Sequence, residues 1–340
     1  MLNQFLEKTE FENYDDFFKN FKIKVPKNFN FGYDVVDALA AKSPDANALV
    51  WCNDNDEEKT FTFAEIKERS DKAAAYFKKI GIKKGDFVML ILQRRYEFWI
   101  SIIALHKIGA AVIPATHMLT KEDIIFRCNS AYIKSVIAVD DRELFKYIDE
   151  AQNECETLKH KIAVAPFGID TNTDYHNKNG WTDFYKGLDS VTNEDLEAFK
   201  NLKREEISKN EDVFLAYFTS GTTSHPKLVT HNFLYPLGHI VTAKYWQQVE
   251  KGGLHLTVAD TGWGKAVWGK LYGQLICECG VFVYDYHARF KPTDLLAQVE
   301  KHKITSFCAP PTIYRFLIQE DLSSYDLSSL EHCSTAGEPL

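Results

Sequence analysis

The sequence predicts an α/β protein in which layered, parallel-rich sheets are flanked by helices. Short apolar runs alternate with longer segments whose apolar residues recur at helical spacing, a pattern typical of buried parallel strands joined by crossover helices. The alternation occurs twice, before and after a polar region at residues 168–210. Because 340 residues exceed one ordinary core, we expect two α/β subdomains, 1–200 and 201–340, joined near residue 200.

The first stretch begins with an alternating strand, 59–63, and a helix over 64–80 that closes at Gly81. The continuous apolar run 86–92 is typical of a buried strand. The remaining elements predicted before residue 168 are helices at 96–108, 121–130 and 142–155 and strands at 110–114, 135–139 and 161–165.

The polar region 168–210 is dense in Gly, Asn, Asp and Lys, so it predicts a surface excursion or a join between subdomains. The elements predicted beyond it are strands at 212–218, 254–259, 281–284, 305–309 and 332–335 and helices at 265–276, 293–301 and 312–319, with 232–245 mostly helical.

Composition excludes several classes of function. A net charge of −8 disfavours binding of nucleic acid, which needs Lys and Arg to replace phosphate counterions. The first residues lack the pattern of a secretory signal, and no run is apolar enough for a membrane span. Seven scattered cysteines without zinc-knuckle spacing predict buried free thiols, and hence a cytoplasmic protein: Cys52, Cys128, Cys155, Cys277, Cys279, Cys308 and Cys333.

The strongest chemical feature is the loop Thr219–Lys227, TSGTTSHPK, which follows an apolar strand. Its five hydroxyls and its backbone N–H groups suit phosphate oxygens, and Lys227 supplies a positive charge. It is not a Walker loop, because Pro226 replaces the second Gly and Leu228 the magnesium-binding hydroxyl. From composition alone, a Ser/Thr-rich turn between strand and helix is an equal alternative.

This loop resembles the phosphate-loop signature of the adenylate-forming enzymes, which include acyl-CoA synthetases, luciferases and peptide-synthetase adenylation domains. It departs at Ser224 and Leu228, where relatives commonly have Gly. GIKKGDFVMLIL (81–92) and ALHKIGAAVIPA (104–115) resemble earlier motifs of the family in the expected order. The matching residues are Thr219, Ser220, Gly221, Thr222, Thr223, Pro226 and Lys227.

The resemblance implies a two-step ligase that uses ATP, Mg²⁺ and coenzyme A to convert a small carboxylic acid into its CoA thioester. Thr222 and Lys227 would be catalytic, with Lys227 neutralising the leaving pyrophosphate. The loop residues implied in nucleotide binding are Thr219, Ser220, Gly221, Thr222, Thr223, Ser224, His225, Pro226 and Lys227.

Two further stretches narrow the resemblance to the medium-chain or short and branched-chain acyl-CoA synthetases. ADTGWGKAVW (259–268) resembles their DTGW segment, and FCAPPTIYRF (307–316) is similar to the medium-chain branch. Trp263 and Gly264 are the predicted wall of the acyl pocket, because an indole offers flat apolar area and glycine permits close approach. Core packing of Trp263, after a helix cap at Thr261, is the alternative.

Gly337-Glu338-Pro339 matches the stretch that in relatives lines the adenine pocket, with a plain turn as the alternative. Residues 331–340 end in a turn without a following helix, which we interpret as a truncation. The family's later magnesium-binding and ribose-binding segments and its small C-terminal domain would lie past Leu340. We therefore expect the 340 residues alone to fold, to bind ATP weakly and to be inactive.

Two other classes of function differ in how well the sequence supports them. A non-catalytic nucleotide-binding module remains open, because the loop alone does not require catalysis. A serine hydrolase fails because neither Ser220 nor Ser224 stands in a Gly-x-Ser-x-Gly elbow. His225, His231 and His239 lack metal-ligand spacing, so surface or capping roles are expected and no metal site is predicted.

Overall fold

The computed structural model describes residues 1–219 and 226–339, in which thirteen strands form two sheets. The strands are β1 (Asn47–Asn53), β2 (Glu58–Thr62), β3 (Phe87–Ile91), β4 (Ala111–Pro114), β5 (Ser135–Val139), β6 (His160–Val164), β7 (Trp181–Asp183), β8 (Val213–Thr219), β9 (Lys227–Asn232), β10 (Leu254–Thr257), β11 (Gly280–Asp285), β12 (Ser306–Ala309) and β13 (His332–Thr335). The fold class predicted from the sequence is confirmed.

The helices of the described residues follow the predicted alternation with the strands. They are α1 (Leu2–Phe5), α2 (Tyr14–Asn20), α3 (Ala38–Lys42), α4 (Phe63–Lys79), α5 (Glu97–Lys107), α6 (Lys121–Ala131), α7 (Arg142–Ala151), α8 (Phe184–Asp189), α9 (Asn193–Lys200), α10 (Arg204–Ile207), α11 (Tyr235–Gly238), α12 (Gly264–Gly269), α13 (Tyr272–Ile276), α14 (Pro292–Lys301) and α15 (Pro311–Leu317). Two π-helical segments are Gly32–Asp37 and Val241–Trp246, and 3₁₀ turns span Gln152–Glu154 and Leu322–Ser324.

The first sheet has seven strands in the order β7-β6-β5-β3-β4-β8-β9. All its pairs are parallel except β8 with β9, which form an antiparallel hairpin. The carboxyl end of β8 therefore lies at the same edge of the sheet as the ends of β3 and β4, where open α/β sheets place their ligands.

The second sheet has six strands in the order β13-β12-β10-β11-β1-β2. Only β2 runs antiparallel in it. Its strands β1 and β2 precede the first sheet in the chain, whereas β8 and β9 of the first sheet follow residue 200. Each sheet thus contains strands from both sides of residue 200. The predicted division into subdomains 1–200 and 201–340 stays a prediction.

Helix α5 is the centre of the main core, and all eleven of its residues are buried. The Trp99 indole Nε1 donates to the Lys270 carbonyl oxygen at 3.0 Å. Lys270 lies between α12 and α13, in the connection from β10 to β11 of the second sheet. On the side of the first sheet, the His106 ring stacks on Phe214 of β8 at 3.7 Å. One fully buried helix therefore fixes the two sheets relative to each other.

Residues 232–245 are mostly helical, as predicted, although β9 extends to Asn232 and the helical residues form a four-residue α-helix and a π-helical segment. One other helix prediction was wrong in detail. The predicted helix 265–276 is interrupted between α12 and α13, because Lys270 (φ −149°) and Leu271 (φ −150°) leave helical geometry.

The polar region 168–210 is not only a surface excursion. It contains β7, which extends the first sheet through a parallel pair with β6, and helices α8 to α10. Trp181 of β7 is buried and stacks on Phe145 at 3.8 Å. Strand β7 was not predicted, because it has three residues and follows a run of Gly and Asn. Its burial depends on contact with α7.

Six of the seven cysteines are buried free thiols, as predicted, but Cys333 is exposed on the edge strand β13. Within the described residues, no helix combines the length and apolar character needed to cross a membrane.

Candidate active site

The two described ends of the predicted phosphate loop lie on the antiparallel strands β8 and β9. Thr219 is paired with Lys227 in the antiparallel register, and both residues are exposed. The loop therefore joins two strands, not the strand and helix expected from the sequence. The predicted site residues Ser220, Gly221, Thr222, Thr223, Ser224 and His225 lie outside the described residues.

A cavity of about 710 Å³ lies between this hairpin and the DTGW segment. It brings together four predicted residues, Thr219 and Pro226 at the ends of the loop and Trp263 and Gly264 across from them. Lys227 follows Pro226 directly at the start of β9. The lining residues are Pro114, Ala115, Thr116, Leu119, Arg127, Tyr217, Phe218, Thr219, Pro226, Val229, His231, Tyr235, Gly262, Trp263, Gly264 and Trp268.

The DTGW segment forms the cavity wall. Trp263 is 58% exposed, which excludes the core-packing alternative. Thr261 does not cap the helix, since α12 begins after Trp263 and the buried Thr261 hydroxyl has no hydrogen-bond partner. A Cβ on Gly262 would lie 2.5 Å from the Thr116 backbone nitrogen, so only glycine lets the wall approach that strand end so closely.

Arg127 of α6 is a cavity residue that the sequence analysis missed. Its Nη1 donates to Asp123 Oδ1 at 2.9 Å, and its guanidinium lies over the Phe218 ring at 5.3 Å. Among the described lining residues it is the one Lys or Arg. A guanidinium offers several donors in a fork that matches phosphate or carboxylate oxygens, so Arg127 can bind an anion beside the loop.

The histidine prediction needs correction. His231 lines the cavity, with its ring centroid 4.4 Å from that of Tyr235, and it is not a simple surface residue. Burial lowers the pKa of His231, and burial followed by the charge of His231 lowers the pKa of His239 to about 4. Burial also raises the pKa of Tyr217 well above its usual value. This side of the cavity is therefore neutral and aromatic at pH 7.

Beneath the wall lies a second, smaller cavity of about 170 Å³ that also contacts Trp263. Lys270 lines it, is fully buried, and donates from Nζ to the Ala259 carbonyl at 2.7 Å. Burial, with a smaller contribution from Arg94, lowers the pKa of Lys270 to about 7. Burial raises the pKa of nearby Asp285 to about 7 as well, although Trp51 Nε1 donates to its Oδ2 at 3.2 Å.

The predicted adenine-lining stretch Gly337-Glu338-Pro339 follows β13 and is exposed. Gly337 has φ +109°, a conformation that favours glycine. Thr312 donates to the Glu338 carboxylate from its backbone nitrogen at 3.2 Å and from its hydroxyl, which lowers the pKa of Glu338. The stretch is thus a turn held by α15, and its adenine role stays a prediction.

The described lining fits a nucleotide phosphate better than a metal. Thr219, Arg127 and the adjacent Lys227 offer a hydroxyl and two cations, whereas Mg²⁺ prefers carboxylate and other oxygen ligands. None of the lining residues in 1–219 and 226–339 is a carboxylate, and no cluster there suits a metal ion. We therefore assign no Mg²⁺ ligand in this part of the chain.

Comparison with known proteins identifies the chain's family. The family model described as "AMP-binding enzyme" matches residues 36–340. Acyl-coenzyme A synthetase ACSM3, mitochondrial, from Homo sapiens is 32% identical over 338 residues, covering 97% of this chain and 54% of that protein. ACSM4, mitochondrial, from Rattus norvegicus is 33% identical over 323 residues, covering 93% and 52%.

Among solved structures, the fold is similar to that of an acyl-CoA synthetase from Brucella canis. The TM-score is 0.74 at 20% identity, and the match covers 92% of this chain and 53% of the other. The chain spans about half the length of the curated relatives it matches. Because the family model matches nearly the whole sequence, the chain belongs to the AMP-binding enzyme family.

Proposed function

We propose that the protein is an AMP-forming acyl-CoA synthetase that activates small carboxylic acids with ATP and transfers the acyl group to coenzyme A. The observation that carries this proposal is the single cavity between the ends of the phosphate loop and the aromatic wall at Trp263. One cavity with an anion-binding side and an apolar side suits a reaction between a nucleotide and an organic acid.

In the first step, a carboxylate oxygen of the acid forms a bond to the α-phosphorus of ATP. The bond from that phosphorus to the bridging oxygen breaks, and pyrophosphate leaves with the electron pair. In the second step, the CoA thiolate bonds to the acyl carbon and AMP leaves. Both steps depend mainly on positioning and on stabilising charge at phosphoryl oxygens.

The chain's own residues have distinct tasks in this scheme. The loop hydroxyls would hold the β- and γ-phosphates, and Lys227 would neutralise charge on the departing pyrophosphate. Arg127, whose guanidinium lies over the Phe218 ring beside the loop, adds a second cation to the same cavity. Bound Mg²⁺ would supply further charge neutralisation of the phosphates.

The wall favours short or medium apolar acids, straight or branched. Trp263 offers an exposed indole face, and Tyr235 and the neutral His231 add aromatic surface. Such a surface stabilises an alkyl group by removing apolar area from water, at about 25 cal/mol per Å². An acid with a charged tail would lose hydration without gaining a partner there.

ATP–pyrophosphate exchange tests the proposal. The complete gene product is assayed with magnesium and a panel of straight and branched acids from two to about ten carbons. We expect exchange with some of these acids, and formation of the thioester when CoA is added. Absence of exchange across the whole panel would contradict the proposal and favour a non-catalytic nucleotide-binding module.

The predicted cytoplasmic location also remains a proposal. It is supported by six buried thiols that are all free, as in a reducing compartment. The relatives ACSM3 and ACSM4 carry "mitochondrial" in their names, so fractionation of cells with an antibody to the protein distinguishes the two locations.

A further inference from the structure

Lys265 joins two predicted substrate-binding stretches that lie far apart in the chain. It is the second residue of α12, directly after the wall residues Trp263 and Gly264. Its Nζ donates to the Ala336 carbonyl oxygen at 2.7 Å across 71 residues of sequence. Ala336 immediately precedes the predicted adenine-lining stretch Gly337–Pro339.

The environment of Lys265 makes this contact a strong one. The side chain is half-buried, and burial lowers its pKa. The negative charge of Glu338 opposes this and favours the charged ammonium. A hydrogen bond from a charged donor is about twice as strong as one between neutral groups, and partial burial shields it from competing water. Lys265 therefore restrains the Ala336 carbonyl more firmly than an exposed lysine would.

The segment that Lys265 holds has few other supports. Strand β13 is the edge of its sheet, and residues 337–339 are exposed. The Ala336 backbone nitrogen donates to the Ala309 oxygen at a long 3.4 Å. Glu338 is held from α15 through Thr312. The Lys265 contact is thus a direct link from this segment to the helix that begins at the wall.

We propose that Lys265 is a positioning residue that fixes the 336–339 segment to the Trp263 wall, so that acid binding and nucleotide binding strengthen each other. The inference rests on the proposed function, in which the wall binds the acid, and on the predicted role of Gly337–Pro339 in lining the adenine pocket. An acid that orders the wall also orders the segment through this one hydrogen bond. The coupling is reciprocal, so each substrate raises the affinity for the other by the same factor.

Steady-state pyrophosphate exchange, with ATP and acid varied independently, tests this link in the complete gene product. Lys265→Met removes the donor while keeping the side chain's length, and Lys265→Arg retains a charged donor. Lys301→Met is the matched control, because Lys301 also makes one short contact, 2.6 Å to Glu58, at the opposite end of the same sheet. Thermal melting of each variant confirms that it is folded.

We expect the Lys265→Met variant to show a KM for ATP raised about tenfold, within the range of typical coupling between sites. That KM should no longer fall as acid concentration rises, whereas kcat at saturation should stay within about threefold, as expected for lost binding rather than lost chemistry. Lys265→Arg should restore most of the ATP affinity and its dependence on acid concentration. Lys301→Met should behave like the unchanged protein.

Two results would overturn the inference while leaving the proposed function intact. One is unchanged KM values for both substrates in Lys265→Met. The other is a large loss of kcat at constant KM without recovery in Lys265→Arg, which would place the ammonium on the reacting atoms. Absence of exchange in the unchanged protein would instead overturn the proposed function and, with it, this inference.

Discussion

The two sides of the cavity are built in opposite ways. The phosphate side is carried by the strand pair β8–β9, whose end residues Thr219 and Lys227 are both exposed. The wall side is packed, since a Cβ on Gly262 would lie within 2.6 Å of the backbone of Ala115 and Thr116, and α12 leads directly into the buried Lys270. Substitutions on the hairpin should therefore change function with little effect on stability, whereas substitutions in the wall should change both.

The largest expected effect is that of Lys227→Ala on the hairpin. Adenylation should slow by roughly tenfold to a thousandfold, the scale of losing one preorganised charge at a phosphoryl-transfer site. The free energy of unfolding should change by less than about 0.5 kcal/mol, as for most exposed residues. Pyrophosphate exchange and urea unfolding measure the two quantities.

Lys59→Ala, on the edge strand β2 of the other sheet, is the control for this prediction. It removes a lysine from a comparable strand without touching the cavity, so exchange should be unchanged. Normal exchange in Lys227→Ala would show that Lys227 is only a solvated charge. A large loss of stability would break the comparison between the two sides.

The wall side is tested by Gly262→Ala. The new Cβ would lie 2.5 to 2.6 Å from three backbone atoms of Ala115 and Thr116, which cannot rotate away as a side chain can. We expect destabilisation by about 2–3 kcal/mol, typical of overpacking, together with loss of activity. Urea unfolding measures the free energy.

Gly264→Ala is its matched control on the other side of Trp263. There the Cβ would meet the Tyr217 ring at 3.6 to 3.9 Å, an ordinary contact distance. Its unfolding free energy should stay within about 1 kcal/mol of the unchanged protein. Equal costs for the two glycines would contradict the close packing of the wall.

Trp263→Ala sharpens the comparison, because this residue belongs to the wall but is itself exposed. We expect the KM for the acid to rise about tenfold, equivalent to about 1.4 kcal/mol of lost apolar contact. The KM for ATP should change less, and Trp263→Phe should restore most of the acid affinity. Initial rates of exchange over a range of acid concentrations provide the test, and an unaffected acid KM would exclude Trp263 from the acyl pocket.

A further prediction concerns the pH dependence of the wall's stability. Because burial lowers the pKa of Lys270 to about 7, the unfolded chain binds more protons at this group between pH 7 and its ordinary value near 10.5. Stability from this group therefore rises with pH across that window, by at most about 1.4 kcal/mol per pH unit.

The unchanged protein and Lys270→Met are compared by urea unfolding at several values between pH 6 and pH 10. The difference in unfolding free energy, unchanged protein minus variant, should increase above pH 7. A difference that stays constant would mean that Lys270 titrates normally in the folded protein.

The fold was largely predictable because its central strands are short apolar runs, such as 135–139, that only a doubly covered sheet can bury. Strand β9 was missed, since KLVTHN has mostly exposed residues and lacks that apolar signal. The break between α12 and α13 at Lys270 was also missed, because apolar residues keep helical spacing through 265–276. The contacts that bury the Lys270 amine are tertiary and leave no local signal.

The loop and the wall were predictable from hydroxyl-rich and glycine-flanked local sequence. Arg127 and His231 were not, since neither stands in a local motif and each reaches the cavity only through tertiary structure. A useful signal for Arg127 was its place on the helix after β4, whose carboxyl end lies beside that of β8. Once the strand order is known, a basic residue on the helix after β4 is expected to lie near the carboxyl end of β8.

The interleaving of the two sheets has a consequence for how the protein folds during synthesis. Strand β1 pairs with β11 in the register Leu49 with Val281, so about 230 residues separate the partners. At translation rates of roughly 5–20 residues per second, β1 must wait on the order of ten to fifty seconds for β11 to leave the ribosome. In that interval β1 can pair with β2, but its side chains Leu49, Val50 and Trp51, all buried in the finished fold, lack the cover that β11 provides. The nascent chain thus exposes an aggregation-prone strand early, and expression yield should depend on chaperones that bind its first hundred residues.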